Sequence, residues 1–345
     1  MLREQVLYSL RDISIIPAVS TNILSRSECN PFRRNIEKTD MFYPLIASPM
    51  DSVVNENNFF EYQANKINCI IPRSIPENMI KEYKDQAYDK WLERRLELCR
   101  EVFCAFSLKE VKECFINKDF NSDKQFYVLI DMANGSMLDA IRTGEKFKDK
   151  YLDNAYLMGG NIGNPMSYLL YDKAGFDYLR IGVGSGNGCL TSTNTGVHYP
   201  YASLISDISE MKRRYHSNCK IIADGGMSGY SDIIKSLALG ADYVMCGRIF
   251  AQAAKRGEIV GSDVIYRGMS TKAAQKAMGN AILKTAEGRC ELIKKEYTLY
   301  GWVENFDSYL RSAMSYCDSR DLSEFREKSI CQVISPNSSS QINDK

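Results

Sequence analysis

Eight short, almost unbroken apolar runs, spaced by segments of helical periodicity, limit what this chain can fold into more than any other feature. The runs are YPLIASPM (43–50), INCIIPRS (67–74), EVFCAFSL (101–108), QFYVLIDMA (125–133), AYLMGGNI (155–162), YLRIGVG (178–184), KIIADGG (220–226) and YVMCGRI (243–249). They do not alternate apolar with polar, so they suit parallel strands buried on both faces. Between them the helical pattern is plain. In YASLISDISEMKRRY (201–215), Leu204, Ile205, Ile208, Met211 and Tyr215 share one face and the charges take the other. Strand–helix alternation repeated about eight times predicts the α/β class and a (β/α)₈ TIM barrel, a fold of roughly 250 residues. The chain has 345. Residues 1–334 therefore read as a single barrel domain with an N-terminal arm and a C-terminal extension. SPNSSSQINDK (335–345) reads as a disordered tail, too polar to bury.

Seven of the runs end in small or polar residues: SPMDS, PRS, DMANG, GGNIGNP, GVGSGNGC, ADGG and CGR. In such a barrel the C-terminal strand ends carry the active site, so the expected chemistry converges on one rim. Composition removes several alternatives. A net charge of +1 supplies no global field for DNA or an anionic membrane. No apolar stretch is long enough to span a bilayer, and MLREQVLYSLRD shows no signal-peptide core. Eleven cysteines, without a CxxC pair, read as reduced thiols in the cytoplasm. With only His198 and His216 available, zinc hydrolase chemistry and a Ser–His triad have little to build on.

The sixth run opens into IGVGSGNGCLTSTNTG (181–196), where Gly182, Gly184, Gly186 and Gly188 precede Cys189. Glycines expose main-chain N–H and C=O groups to a ligand that must come close. A free cysteine is most often an inert small hydrophobe, but one that follows a glycine loop at a strand end is placed as a nucleophile. The loop is not a dinucleotide fingerprint, because Asn187 occupies the third glycine position. ADGGMSG (223–229) and MCGRIFA (245–251) end the seventh and eighth runs, where barrels of this kind seat phosphates. Asp224 can accept hydrogen bonds from a ribose. Glu287, taken alone, reads as a solvated charge.

Taken together, the motifs SPMDSV (48–53), DMANG (131–135), GGNIG (159–163), GVGSGNGCLT (182–191), ADGG (223–226), YRGMS (266–270) and AEG (286–288) resemble the IMP dehydrogenase/GMP reductase family. The resemblance runs from YSLRDISIIP near the start to LRSAMSYCDSRDL at 310–322. It implies a barrel that binds a purine nucleoside 5′-monophosphate and attacks C2 of the base with a cysteine thiolate, here Cys189. Thr191 and Glu287 match the pair that handles the proton of the departing amine, which turns Glu287 from a surface charge into an acid–base group. Asp224, Gly225 and Gly226 would hold ribose and phosphate. Gly247 and the backbone of YRGMS would close the phosphate seat, with Arg248 and Asn187 beside it. Gly268, Met269 and Ser270 would border the base, joined on the substrate side by Ser48 and Met50. Asp131, Ala133 and Asn134 would face the nicotinamide of NADPH (NADH or NAD being the alternatives), and Ser25 and Arg26 would touch the same cofactor. The carbonyls of Gly184, Gly186 and Cys189 match a monovalent-cation site, for K⁺. By family analogy the chain is a homotetramer.

Several features favour the reductase, which converts GMP to IMP through a covalent cysteine thioimidate. About fifty residues between the second and fourth runs leave no room for a regulatory module. The Asn-Gly of DMANG, the short stretch from Ser270 to Glu287 and STNILSRS (20–27) are also reductase-like. SPMDSV, YRGMS and MSYC look more like the dehydrogenase. The chain departs from the family at Asn187, usually Ser; at Gly188, usually bulkier; and at Arg248, usually small. Two alternatives remain open. One is an IMP dehydrogenase, or a reductase for another guanine-like nucleotide. The other is a catalytically silent nucleotide-binding protein. For Arg248 there are two fates: a bidentate contact to the phosphate, which is the expectation, or an outward ion pair with an acid on a neighbouring loop.

Overall fold

The computed structural model describes residues 4–34, 40–120, 124–132, 134–186, 188–279, 282–283, 285 and 288–343. Eight parallel strands close into a barrel in chain order: β1 (Leu45–Ala47), β2 (Asn68–Ile71), β3 (Phe103–Phe106), β4 (Phe126–Ile130), β5 (Ala155–Ile162), β6 (Tyr178–Ile181), β7 (Lys220–Asp224) and β8 (Tyr243–Cys246). The circle closes where β8 pairs with β1, Val244 opposite Leu45 and Cys246 opposite Ala47. Each strand lies inside one of the eight apolar runs.

The unbroken hydrophobicity of the runs is explained by two cores. Side chains one apart in sequence point to opposite faces. Ile46, Ile70, Phe103, Leu129, Met158, Tyr178, Ile222 and Met245 fill the barrel interior, where the Phe103 ring meets Tyr127 at 5.5 Å and Tyr178 at 5.7 Å. Their neighbours Leu45, Cys69, Cys104, Val128, Leu157, Leu179, Ile221 and Val244 belong to the outer core with the surrounding helices. The barrel is thus a filled core rather than a pore.

The helix expected at 201–215 spans Tyr201–Arg214 and buries Tyr201, Ala202, Leu204, Ile205 and Ile208. Tyr215 does not join that face. The helix stops one residue before it, and His216 takes φ +52°, which leaves Tyr215 exposed. The arm and the extension meet each other, Ile13–Ile16 pairing antiparallel with Ile330–Val333. In the C-terminal segment Pro336–Asn343 is helical, and the Ser339 hydroxyl donates to the Arg11 carbonyl. A polar segment needs no core of its own when it caps another element.

Beyond β8 come a short helix, Arg248–Gln252, and an antiparallel hairpin of β9 (Asp263–Arg267) and β10 (Cys290–Lys294). Two ion pairs tie the hairpin to the barrel rim. Arg267 on β9 grips Asp51 just past β1, and Glu291 on β10 accepts from Arg248.

Candidate active site

Residues at or just past the C-terminal ends of seven barrel strands line one cavity of about 780 Å³: Ser48, Arg73, Asp131, Asn161, Gly182, Asp224 and Gly247. The missing strand is β3, whose run carries no polar cluster at its end; there Ser107 instead caps the following helix, accepting from the Glu110 N–H. The hairpin supplies the remaining wall through Tyr266, Gly268, Met269 and Ser270.

The glycine loop after β6 and the glycines after β7 are folded into one another. Gly225 and Gly226 have φ of +80° and +81°, and a Cβ on Gly226 would stand 2.8 Å from the Ser185 carbonyl oxygen. Side chains are excluded there by both dihedral and space. Cys189 lies on the cavity wall, and its thiol donates to the Thr191 hydroxyl at 3.2 Å. The backbone of Cys189 bridges to Gly288, and the Arg289 N–H donates to the Gly188 carbonyl at 2.9 Å. The segment that follows Glu287 is thereby stitched to the cysteine loop. At Gly188, a Cβ would meet the Tyr266 ring at 3.3 Å and Gly268 at 3.5 Å. Tyr266 and the hairpin thus occupy the space a bulkier residue would need.

The cavity also holds a buried charged cluster, drawn from β6, the end of β7 and the loops after β2 and β4. Arg180, inside β6 and almost wholly buried, donates to Asp131 Oδ1 at 2.9 Å and stands 3.7 Å from Asp224 Oδ2. Arg73 donates to Asp131 Oδ2 at 3.0 Å, and Asn161 to Asp224 Oδ2 at 2.7 Å. These contacts separate the two carboxylates. Burial would raise the Asp131 carboxyl, but two guanidinium groups outweigh it and hold it below the ordinary range. At Asp224 burial prevails over Arg180 and Asn161, and the carboxyl is pushed up. Burial likewise raises the Tyr266 phenol to about 12, although Arg248 opposes it.

Of the residues expected from the sequence, the cavity gathers Ser48, Met50, Asp131, Gly184, Gly186, Cys189, Thr191, Asp224, Gly225, Gly226, Gly247, Arg248, Gly268, Met269 and Ser270. Asn187, Ala133 and Glu287 lie outside the described residues. Asn134 is not on the wall; its Oδ1 accepts from the Ser136 N–H in a local turn. Ser25 and Arg26 are off the wall as well, exposed on a 3₁₀ turn (Arg26–Glu28) against the helix Leu299–Tyr316. Arg248 lines the cavity and is at the same time paired with an acid of the neighbouring hairpin, its Nη1 donating to Glu291 Oε2 at 2.5 Å. Sequence reasoning left Arg73, Asn161 and Arg180 unassigned. Arg73 and Asn161 sat in clusters already marked as rim. Arg180 carried the clearest unused signal, because a charge inside a doubly buried strand requires a carboxylate partner.

Residues 107–343 match the IMP dehydrogenase / GMP reductase domain. Over 327 residues, 93% of this chain and 94% of the relative, the chain is 28% identical to a GMP reductase of Staphylococcus epidermidis. It is 26% identical over 329 residues to one of Streptococcus gordonii, with 93% and 94% covered. It is 27% identical over 353 residues to one of Buchnera aphidicola, with 95% and 94% covered. The domain match takes in more than half of the chain and carries the cysteine loop, the glycine seat and the hairpin: the chain belongs to the IMP dehydrogenase / GMP reductase family.

Proposed function

We propose that the chain is an NADPH-dependent GMP reductase that removes ammonia from GMP and yields IMP through a covalent adduct at Cys189. The observation that carries this reading is the thiol of Cys189 held 3.2 Å from the Thr191 hydroxyl, on the wall of the cavity that also contains Asp224 and the glycine pair. The GMP reductases among its relatives support the substrate.

In this reading Cys189 sulfur adds to C2 of the guanine and the exocyclic amine leaves as ammonia. The thiol proton ends on that ammonia, so a relay must carry it. Thr191 accepts the thiol hydrogen bond and Glu287 is the acid–base partner. Asp224 and Asn161 take the ribose side, while Gly225, Gly226, Gly247 and Arg248 take the phosphate. A second ligand fits the cavity's other side: Arg73 and Asp131 follow β2 and β4, across the closed barrel from β7 and β8. There NADPH, when bound, supplies the hydride that replaces sulfur at C2 and releases the thiolate. The carbonyls of Gly184 and Gly186 each accept one hydrogen bond within the loop, from Ser192 Oγ and the Cys189 N–H. Each keeps a lone pair, so these hard oxygen donors and the Cys189 carbonyl suit K⁺, which would hold the cysteine loop in order. The same reading includes a cytoplasmic homotetramer in purine nucleotide interconversion. Among the described residues no helix is long and apolar enough to cross a membrane.

The test is purified protein followed at the nicotinamide absorbance band. GMP with NADPH should bleach the band. Reduction of NAD by IMP, with no reaction of GMP, would make the chain a dehydrogenase, and silence with both pairs would leave a binding protein.

A further inference from the structure

Arg248 begins the helix Arg248–Gln252 and lines the cavity beside Gly225, Gly226 and Gly247. Its guanidinium carbon lies 5.9 Å from the centre of the Tyr266 ring, and Nη1 is bonded to Glu291 Oε2 at 2.5 Å. Glu291 comes from the hairpin, where Arg289 Nη1 stands 3.8 Å from its other oxygen. The Arg248 and Glu291 side chains are 32% and 31% exposed. A pair this open to water is weakly held. A guanidinium offers five N–H groups, and among the described residues Glu291 is the carboxylate paired with this one.

These facts make Glu291 more than an anchor. On the reading that the cavity takes a nucleotide, a phosphate arriving at Gly225–Gly226 meets a cation already neutralised by a neighbouring carboxylate. The phosphate carries more charge than the carboxylate and accepts two parallel N–H bonds, so it wins the guanidinium. It must first displace Glu291, or bind beside its negative charge. Either route lowers the apparent affinity, as any competing internal partner does. A bare nucleoside leaves the pair intact and feels none of this.

We propose that Glu291 is a specificity-determining counter-ion, which a nucleotide's phosphate displaces from Arg248 on binding. The exchange of partner at Arg248 then sets how strongly the cavity prefers a nucleoside 5′-monophosphate to the nucleoside.

Calorimetric titration of the full chain with GMP and with guanosine tests this, using the wild type, Glu291→Gln, Arg248→Ala and the double variant. Glu291→Gln should tighten GMP by roughly two- to fivefold, the effect of removing one exposed ion-pair partner, and leave guanosine unchanged within about 1.5-fold. Arg248→Ala should weaken GMP, and in that background Glu291→Gln should have little further effect. Glu291→Ala, which removes the carboxylate by another route, should repeat the gain, and thermal midpoints check that each variant is folded. Unchanged or weaker GMP binding in the folded Glu291 variants overturns the proposal. So does an equal gain for guanosine, or a full gain without Arg248. Failure of the wild type to bind GMP would overturn the nucleotide reading itself, which the variants leave standing in every other case.

Discussion

Arg180 shows how one side chain can set the chemistry of two others. Placed between Asp131 and Asp224, it helps hold the first ionised, while burial pushes the second toward its protonated form. Carboxylates separated in this way can take different roles in one cavity. The proposed nucleophile gives the sharper test. Cys189→Ala should abolish turnover while GMP still binds, and GMP should protect Cys189 from alkylation followed by peptide mass spectrometry. An active Cys189→Ala enzyme would end the covalent reading. Glu287→Gln should slow ammonia release by about a hundredfold or more, the usual scale for losing a general acid or base, with GMP affinity little changed. A change in affinity alone would make Glu287 a binding residue. The family resemblance of the GCLT and AEG motifs is what pointed to Cys189, Thr191 and Glu287 as candidates, since both are short strings that read linearly. Arg73 and Arg180 were missed because their meaning depends on a carboxylate that chain order keeps distant.

Among the elements, the loops after β6 and β7 work as a unit. Gly226 is confined twice, by φ +81° and by the Ser185 carbonyl 2.8 Å from where its Cβ would stand. Gly226→Ala should therefore destabilise the fold by about 1–3 kcal/mol in denaturant titration, the usual cost of a side chain in the left-handed region. Gly186→Ala is the contrast. Its φ is not positive and its Cβ would find its nearest neighbour, Cys189 Cβ, at 3.8 Å, so the midpoint should hardly move. Equal losses at both positions would mean that the loop, rather than these particular contacts, sets the cost. The strands were legible because doubly buried strands are apolar throughout, and the helix at Tyr201–Arg214 because its apolar spacing is 3.6. Its end was not, because Tyr215 continues the pattern past the point where the backbone turns away.

On the scale of the whole molecule, the start of β8 is bolted by one carboxylate. Asp242 has no exposed side chain and is paired with Arg33 from the N-terminal arm, Lys212 from the helix Tyr201–Arg214 and Arg326 near the C-terminus. Burial would raise its carboxyl, but the three cations outweigh it and hold it far below the ordinary range. A carboxyl depressed in the fold contributes stability that is complete above its unfolded value, about 3.9, and is lost as pH falls toward the folded value. Asp242→Asn should cost about 3–5 kcal/mol at neutral pH, as expected for stranding buried cations. The gap to wild type should persist down to about pH 4 and narrow below it. A gap independent of pH through the acid range would show that shape, not charge, is at work. The sequence by itself determined the barrel and marked the strand ends that line its cavity, because burial on two faces and glycine at strand ends leave marks on neighbouring residues. Only the tertiary structure decided which charges share a partner. Arg248 meets Glu291, 43 positions on in the sequence, and Arg33 meets Asp242. Ion pairs form through space at the closing of the barrel, and no local pattern along the chain encodes them.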